Sequence, residues 1–233
     1  MYAITVNALT KGYRDVTAVN HLSLCVEEGE LLSLLGINGA GKSTTVKMLS
    51  CLTAPTEGDA YLLGKSIRRD TAAVKSFIAV SPQETAIAPA LSVKENLELM
   101  CGVHGLAKDT MATKIKELTE LLGLDSVIGK RAGKLSGGWQ RRLSIAMALI
   151  SQPKILFLDE PTLGLDVLAR SDLWALIRSL KGKITIILTT HYMEEAAEAD
   201  YVVIIDSGSV SAKGTPLELK NQYTGDFITI YGV

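Results

Sequence analysis

Aromatic residues make up only 5% of the 233 residues against 47% hydrophobic residues overall, so any core must be mainly aliphatic. That length can bury one substantial core, or a core plus a small subdomain, and aliphatic runs suit a parallel sheet covered on both faces. Cysteine is scarce: Cys25, Cys51 and Cys101 are odd in number, widely spaced and without a Cys-x-x-Cys pair. This excludes a disulfide framework and disfavours thiolate metal binding, leaving reduced core thiols of a cytosolic protein as the expectation. Charge of one sign is missing too. Lysine plus arginine (24) nearly cancel aspartate plus glutamate (25), so there is no broad positive field to grip nucleic acid. No apolar run approaches bilayer length, and Met1-Tyr-Ala-Ile-Thr-Val6 has no basic stretch leading into an apolar one. A chain soluble by itself is expected. Linkers, internal repeats and low-complexity segments are also absent.

One stretch stands out from this background. Gly36-Ile-Asn-Gly-Ala-Gly-Lys-Ser-Thr44 follows the apolar run Leu31-Leu-Ser-Leu-Leu35 and leads on to Val46-Lys-Met-Leu49. The pattern G-x-x-x-x-G-K-[ST] between a strand and a helix lets successive amides converge on one concavity suited to an anion. The predicted cradle comprises Gly36, Asn38, Gly39, Ala40, Gly41, Lys42, Ser43 and Thr44. A helix starting near Lys42 adds its positive dipole end, Lys42 a mobile cation and Ser43 a hydroxyl suited to Mg2+. The ligand implied is a nucleoside triphosphate. A dinucleotide fingerprint would need a third glycine where Thr44 stands, so that reading fails.

Short strands are predicted at Ile4 to Ala8 and Leu22 to Val26, around a turn at Lys11-Gly-Tyr-Arg-Asp15. Two more follow at Asp59 to Leu63 and Phe77 to Ser81. From Ser92 the period becomes helical. Ser92-Val-Lys-Glu95 is a capping box, Val93, Leu97 and Met100 share a face, and Met111, Ile115, Leu118 and Leu122 do so before Gly123. Trp139, Leu143, Ala146, Met147 and Ile150 mark a further amphipathic helix closed by Pro153. Strand character returns in Ile155 to Leu158, Ile184 to Leu188 and Tyr201 to Ile205, with helix caps expected at Asp166 and after His191. Asp206-Ser-Gly-Ser209 reads as a hairpin, Thr215-Pro-Leu-Glu218 as a capped helix start, and Asp226 to Val233 as an edge strand. Alternating strands and helices argue an α/β sandwich.

Lys154-Ile-Leu-Phe-Leu-Asp-Glu160 delivers two carboxylates to the carboxyl end of a buried strand, where α/β sheets bind ligands. Adjacent side chains alternate on a strand, so the two acids must differ in role. Asp159 suits a Mg2+ shell and Glu160 the acceptance of a proton from an attacking water, although acids also end strands as helix caps. Ser136-Gly-Gly138, at a helix start, offers a second anion-facing set of amides and a hydroxyl, or an ordinary N-cap.

Taken with the glycine loop and the apolar strand ending Asp159-Glu160-Pro161, Leu135-Ser-Gly-Gly-Trp139 resembles the signature of the ABC ATPase family. The resemblance runs from about Ile4 to Leu219. By it, Tyr13 corresponds to the aromatic that stacks on adenine, Gln83 to the residue linking metal site and helical subdomain, Leu163-Gly-Leu-Asp166 to the D-loop, and His191 to the switch histidine. Separately, Tyr13 also suits a turn aromatic, Gln83 a solvated amide and His191 a helix cap. Two positions depart from the pattern: Trp139 stands where glutamine is usual, and Ile37 where proline is common. Trp139 is the more consequential, because an indole at the helix start alters the surface offered to a partner subunit.

The resemblance implies an α/β fold: a P-loop NTPase core with an N-terminal antiparallel β-subdomain (1–82 and 153–220), an inserted α-helical subdomain (83–152) and a tail (221–233). It implies ATP and Mg2+ as ligands, with Lys42, Glu160, His191 and Gln83 catalytic and Ser43, Gln83 and Asp159 at the metal. It also implies a second ATPase subunit, as a head-to-tail homodimer, and separate transmembrane permease subunits that hold the chain at the cytoplasmic face of a membrane. Glu84-Thr-Ala-Ile-Ala-Pro-Ala-Leu91 suits either a permease groove or core packing. A soluble ATPase of DNA-repair or ribosome machinery is the rival reading. It is disfavoured by a compact 84–134 segment, a lone cassette and the lack of a basic stripe.

Overall fold

The computed structural model describes residues 1–223, and the edge strand expected over 226–233 lies outside them. Tyr2–Tyr13 (β1) and Val16–Glu27 (β2) form an antiparallel hairpin with Tyr13 opposite Val16. Both strands outrun the expectation, because Lys11, Gly12 and Tyr13 stay paired and only Arg14-Asp15 turns, with Arg14 at φ 49°. Leu31–Leu35 (β3) is buried throughout and feeds the glycine loop and Lys42–Leu49 (α1). Next come Glu57–Leu62 (β4), Lys65–Ser66 (β5), Thr71–Phe77 (α2) and Ile78–Ser81 (β6). The helical insert is built from Val93–Val103 (α3), Lys108–Leu122 (α4) and Gly137–Leu149 (α5). Ile155–Asp159 (β7), Val167–Leu180 (α6), Thr185–Thr190 (β8) and Met193–Ala196 (α7) return to the sheet. Tyr201–Asp206 (β9), Ser209–Gly214 (β10) and Pro216–Tyr223 (α8) complete the described chain.

An antiparallel sheet has the order β2-β1-β4-β5, and a six-stranded sheet the order β10-β9-β3-β8-β7-β6. In the second, all strands but β10 run parallel, so the segments leaving β3, β6, β7 and β8 emerge at one edge. That edge is where a parallel sheet presents a ligand crevice. Strand alternation then sorts the core. Leu31, Leu35, Leu156, Leu158, Ile186 and Leu188 face the cluster shared with the helical insert and α6. Leu32, Leu34, Ile155, Phe157 and Ile187 face the opposite cluster, shared with Ile4, Leu9, Leu22 and Leu24 of the β-hairpin.

Helix starts follow their caps. Ser92 and Glu95 bond reciprocally, with Ser92 N donating to Glu95 Oε2 at 2.7 Å and Glu95 N to Ser92 Oγ at 3.2 Å. Asp166 Oδ1 accepts from Ala169 N at 2.9 Å, and Thr215 and Glu218 repeat the reciprocal pattern. After His191 the cap position is Tyr192, which makes no side-chain cap. The 206–209 hairpin turns through Ser207 and Gly208, both at positive φ, and Asp206 pairs with Ser209.

Two further expectations change. From Leu143 to Leu149, α5 is buried at every position rather than amphipathic, because it lies between the sheet, the other insert helices and α6. Cys25 is exposed and Cys51 half-buried, so only Cys101 is a core thiol. On β2 the neighbours Leu24 and Val26 are buried, along with Val19 and Leu22, which leaves Cys25 pointing outward by strand alternation.

Candidate functional site

The glycine loop is shaped by close approach as much as by backbone freedom. Gly41 adopts φ 106°, and a Cβ there would come within 2.4 Å of Ala18 O; at Gly36 a Cβ would meet Ile205 O at 2.4 Å. The loop curls around the Lys42 side chain, whose Nζ donates to Gly36 O (2.7 Å) and Ile37 O (3.1 Å). The same ammonium lies 3.3 Å from Glu160 Oε1, with both side chains more than 90% buried. One step along, Ser43 Oγ donates to Asp159 Oδ1 at 3.0 Å.

The two adjacent acids therefore have separate partners. Asp159 Oδ1 also accepts from Thr189 Oγ1 (2.6 Å), while Glu160 N donates to Thr189 Oγ1 (2.9 Å). Glu160 takes φ 44°, a left-handed conformation costing about 1 kcal/mol or more for a residue with a side chain. This break ends the strand pattern and turns Glu160 toward the glycine loop. His191 Nδ1 stands 3.5 Å from Glu160 Oε2, too far for a good hydrogen bond, with its ring tilted against Tyr192.

A cleft of about 270 Å³ is lined by Asn38, Gly39, Gly41, Lys42, Ser43 and Thr44, with Ala18, Gln83 and Glu160 across from them. Gly36 contributes its carbonyl to Lys42 instead, and Ala40 is buried beneath the loop. Asp159 and His191 do not line the cleft themselves but contact Ser43 and Glu160, which do; Tyr13 and Ser136–Gly138 do not line it either. Tyr13 sits exposed at the tip of the β1–β2 hairpin with Lys11 Nζ 5.0 Å above its ring. Ser136 is exposed and makes no side-chain cap, and Gly137-Gly138 opens α5. A Cβ on Gly138 would meet Ala169 Cβ at 2.9 Å, so a glycine there lets α5 approach α6 closely. Trp139 turns inward against the core beside the insert, and the Arg142 guanidinium lies 5.1 Å over its ring.

A family model described as ABC transporter matches residues 19–163, a span containing the glycine loop, Gln83, Ser136–Gly138, Asp159 and Glu160. The chain belongs to this ABC transporter family. It is 38% identical over 224 residues to a probable multidrug ABC transporter ATP-binding protein of Escherichia coli, covering 96% of this chain but 39% of the relative. It is 40% identical over 232 residues to the doxorubicin resistance ATP-binding protein of Mycobacterium tuberculosis, covering 98% of this chain and 70% of the relative. Its fold is similar to a dimeric, post-hydrolysis ATP-binding cassette bound to ADP and Pi (TM-score 0.82, 25% identity, 91% of this chain and 98% of that one).

In this ABC family chain the site also uses residues that no motif pointed to. Thr189 bridges the two acids, and its only sequence signal is a Thr-Thr pair before His191. Arg141 is buried on α5 and donates to Pro82 O and Gln83 O, both at 2.6 Å. Burial pushes its pKa down, and the negative charge of Asp159 opposes that shift. Ser144, one turn further on, bonds Ser81 at 3.0 Å, so α5 is fastened to β6 and the segment carrying Gln83.

Proposed function

We propose that the chain binds and hydrolyses ATP, and that closure of two copies around the nucleotide drives a membrane transporter of the exporting kind. The observation carrying this reading is the joint placement of Lys42 against Glu160 and of Ser43 against Asp159 at one sheet edge. The glycine-loop amides and Lys42 would hold the phosphates, so that Lys42 exchanges part of its present bonding to Gly36 O, Ile37 O and Glu160 for phosphate oxygens.

Ser43 and Asp159 are hard oxygen donors already in mutual contact, a set that fits a magnesium ion completed by phosphates and water, with Gln83 on the same cleft. Bound there, Mg2+ would neutralise charge on the phosphate oxygens. Glu160 takes the proton of an attacking water as its oxygen bonds to the γ-phosphorus. The bond from that phosphorus to the β–γ bridging oxygen breaks, and ADP leaves with the electron pair. His191, beside Glu160, is placed to address the γ-phosphate.

Ser136–Gly138 would close the site from a second copy in a head-to-tail homodimer, which accords with their position outside this chain's cleft. Tyr13 would stack on the adenine. Among the described residues no helix is long and apolar enough to cross a membrane. Separate permease subunits at the cytoplasmic face of a membrane are part of the proposal, in line with relatives named as ATP-binding proteins of ABC transporters, and nucleic acid is not. Export is favoured by the names of the multidrug and doxorubicin-resistance relatives. The helical subdomain (83–152) would carry closure, moving against the core of 1–82 and 153–220. Phosphate release by the purified chain with MgATP tests the reading: turnover in the wild type that Lys42→Ala abolishes supports it, and equal rates in both contradict it.

A further inference from the structure

Glu195 is a buried carboxylate on α7 for which the proposed chemistry has no use. Its two oxygens take different hydroxyls. Thr162 Oγ1 donates to Oε1, and Thr190 Oγ1 donates to Oε2 at 2.6 Å. Both threonines are fully buried, and Thr190 Oγ1 also accepts from Tyr192 N at 3.0 Å. Arg170 of α6 reaches the same carboxylate, Nε standing 3.6 Å from Oε1, while its guanidinium lies 4.6 Å over the Tyr192 ring.

The positions of these hydroxyls matter. Thr162 is two residues beyond Glu160 and immediately before Leu163-Gly-Leu-Asp166; Thr190 is the residue before His191. One carboxylate thus spans the segment leaving β7 and the end of β8, the two segments that carry Glu160 and His191. A buried carboxylate is costly unless paired and hydrogen-bonded, and apolar packing would join these segments more cheaply. What the carboxylate adds is direction: each threonine rotamer is fixed by a bond that an apolar contact would not impose.

We propose that Glu195 is a positioning residue for hydrolysis, holding Glu160 and His191 at their 3.5 Å separation and tying both to the loop of residues 163–166. The proposal rests on the reading of Glu160 as proton acceptor with His191 beside it. The side chains of Glu195 and its threonines bond neither the glycine loop nor Ser43 and Asp159 but join the segments carrying Glu160 and His191, so their effect falls on the chemical step rather than on nucleotide binding. A movement of residues 163–166 against a second copy would reach Thr162 first, and through Glu195 it would reach Thr190 and His191.

The test uses the whole chain. Thr162→Val and Thr190→Val keep the shape and remove the donor, whereas Thr162→Ser and Thr190→Ser keep the hydroxyl. Steady-state phosphate release should show kcat reduced about tenfold or more in each valine variant and in Glu195→Gln, because misplacement by about 1 Å is enough to slow a positioned reaction. The KM for ATP should stay within about twofold, and the serine variants should keep most of the wild-type kcat. Glu160→Gln is measured in parallel. If it retains turnover, the reading of Glu160 fails and this inference falls with it. If it is inactive while valine and serine variants share the wild-type kcat, or while the valine variants change only KM, the inference about Glu195 alone is overturned. The valine–serine comparison decides the matter even where Glu195→Gln does not fold.

Discussion

Ser43 Oγ donates a 3.0 Å hydrogen bond to Asp159 Oδ1 across 116 residues of chain, joining the first turn of α1 to the end of β7. The bond sets two hard oxygens side by side where the proposed Mg2+ would bind. Ser43→Ala removes one of them without disturbing the Lys42 contacts. ATP affinity measured with EDTA should be nearly unchanged, whereas the gain on adding Mg2+ should shrink about tenfold or more. Equal magnesium-dependent gains in wild type and variant would take Ser43 out of the metal site.

Tyr13 yields a prediction that separates stacking from turn packing. Its ring is about half exposed at the hairpin tip, outside the cleft around Lys42, and it meets the Lys11 ammonium. If the ring stacks on adenine, Tyr13→Ala should weaken ATP binding by about 1 kcal/mol or more, and Tyr13→Trp should retain it. Equal affinities for the alanine and tryptophan variants would return Tyr13 to the role of a turn aromatic.

How far this site is legible in the sequence depends on whether a residue's function is local. The glycine loop declares itself because its spacing, its strand and its helix are contiguous, and Leu31 to Leu35 alternates between two cores as a buried parallel strand must. Asp159-Glu160 is legible as a pair, since alternation demands different partners, but the positive φ that turns Glu160 toward Lys42 is not. Arg141 and Glu195 leave no pattern at all. Their partners lie 58 and 33 residues away for the contacts to Gln83 and Thr162, so only the packed fold brings those contacts together. The same holds for Cys25, which a count of cysteines places in the core and the register of β2 places outside.

The position of Ser136 outside the Lys42 cleft gives a test of the two-copy site. Lys42→Ala and Ser136→Arg should each be inactive as a homodimer, because two-fold symmetry places either defect in both sites. When the two variants exchange subunits, the mixed dimer has one doubly damaged site and one with both residues intact. Nucleotide trapping at the intact site should reappear in proportion to the mixed dimer. With exchange verified by tagged subunits, absence of trapping would contradict a site shared between copies.

Under the proposed function Glu160, held beside Lys42 and His191, takes the proton from the water that attacks ATP. Glu160→Gln keeps the size and most contacts of the side chain and removes its basicity. Phosphate release and molecular mass are measured on the same preparation with MgATP. Release should fall about 100-fold or more, ATP affinity should be retained, and mass should double with nucleotide as an ATP-bound dimer accumulates. Near-normal phosphate release from Glu160→Gln would contradict that role.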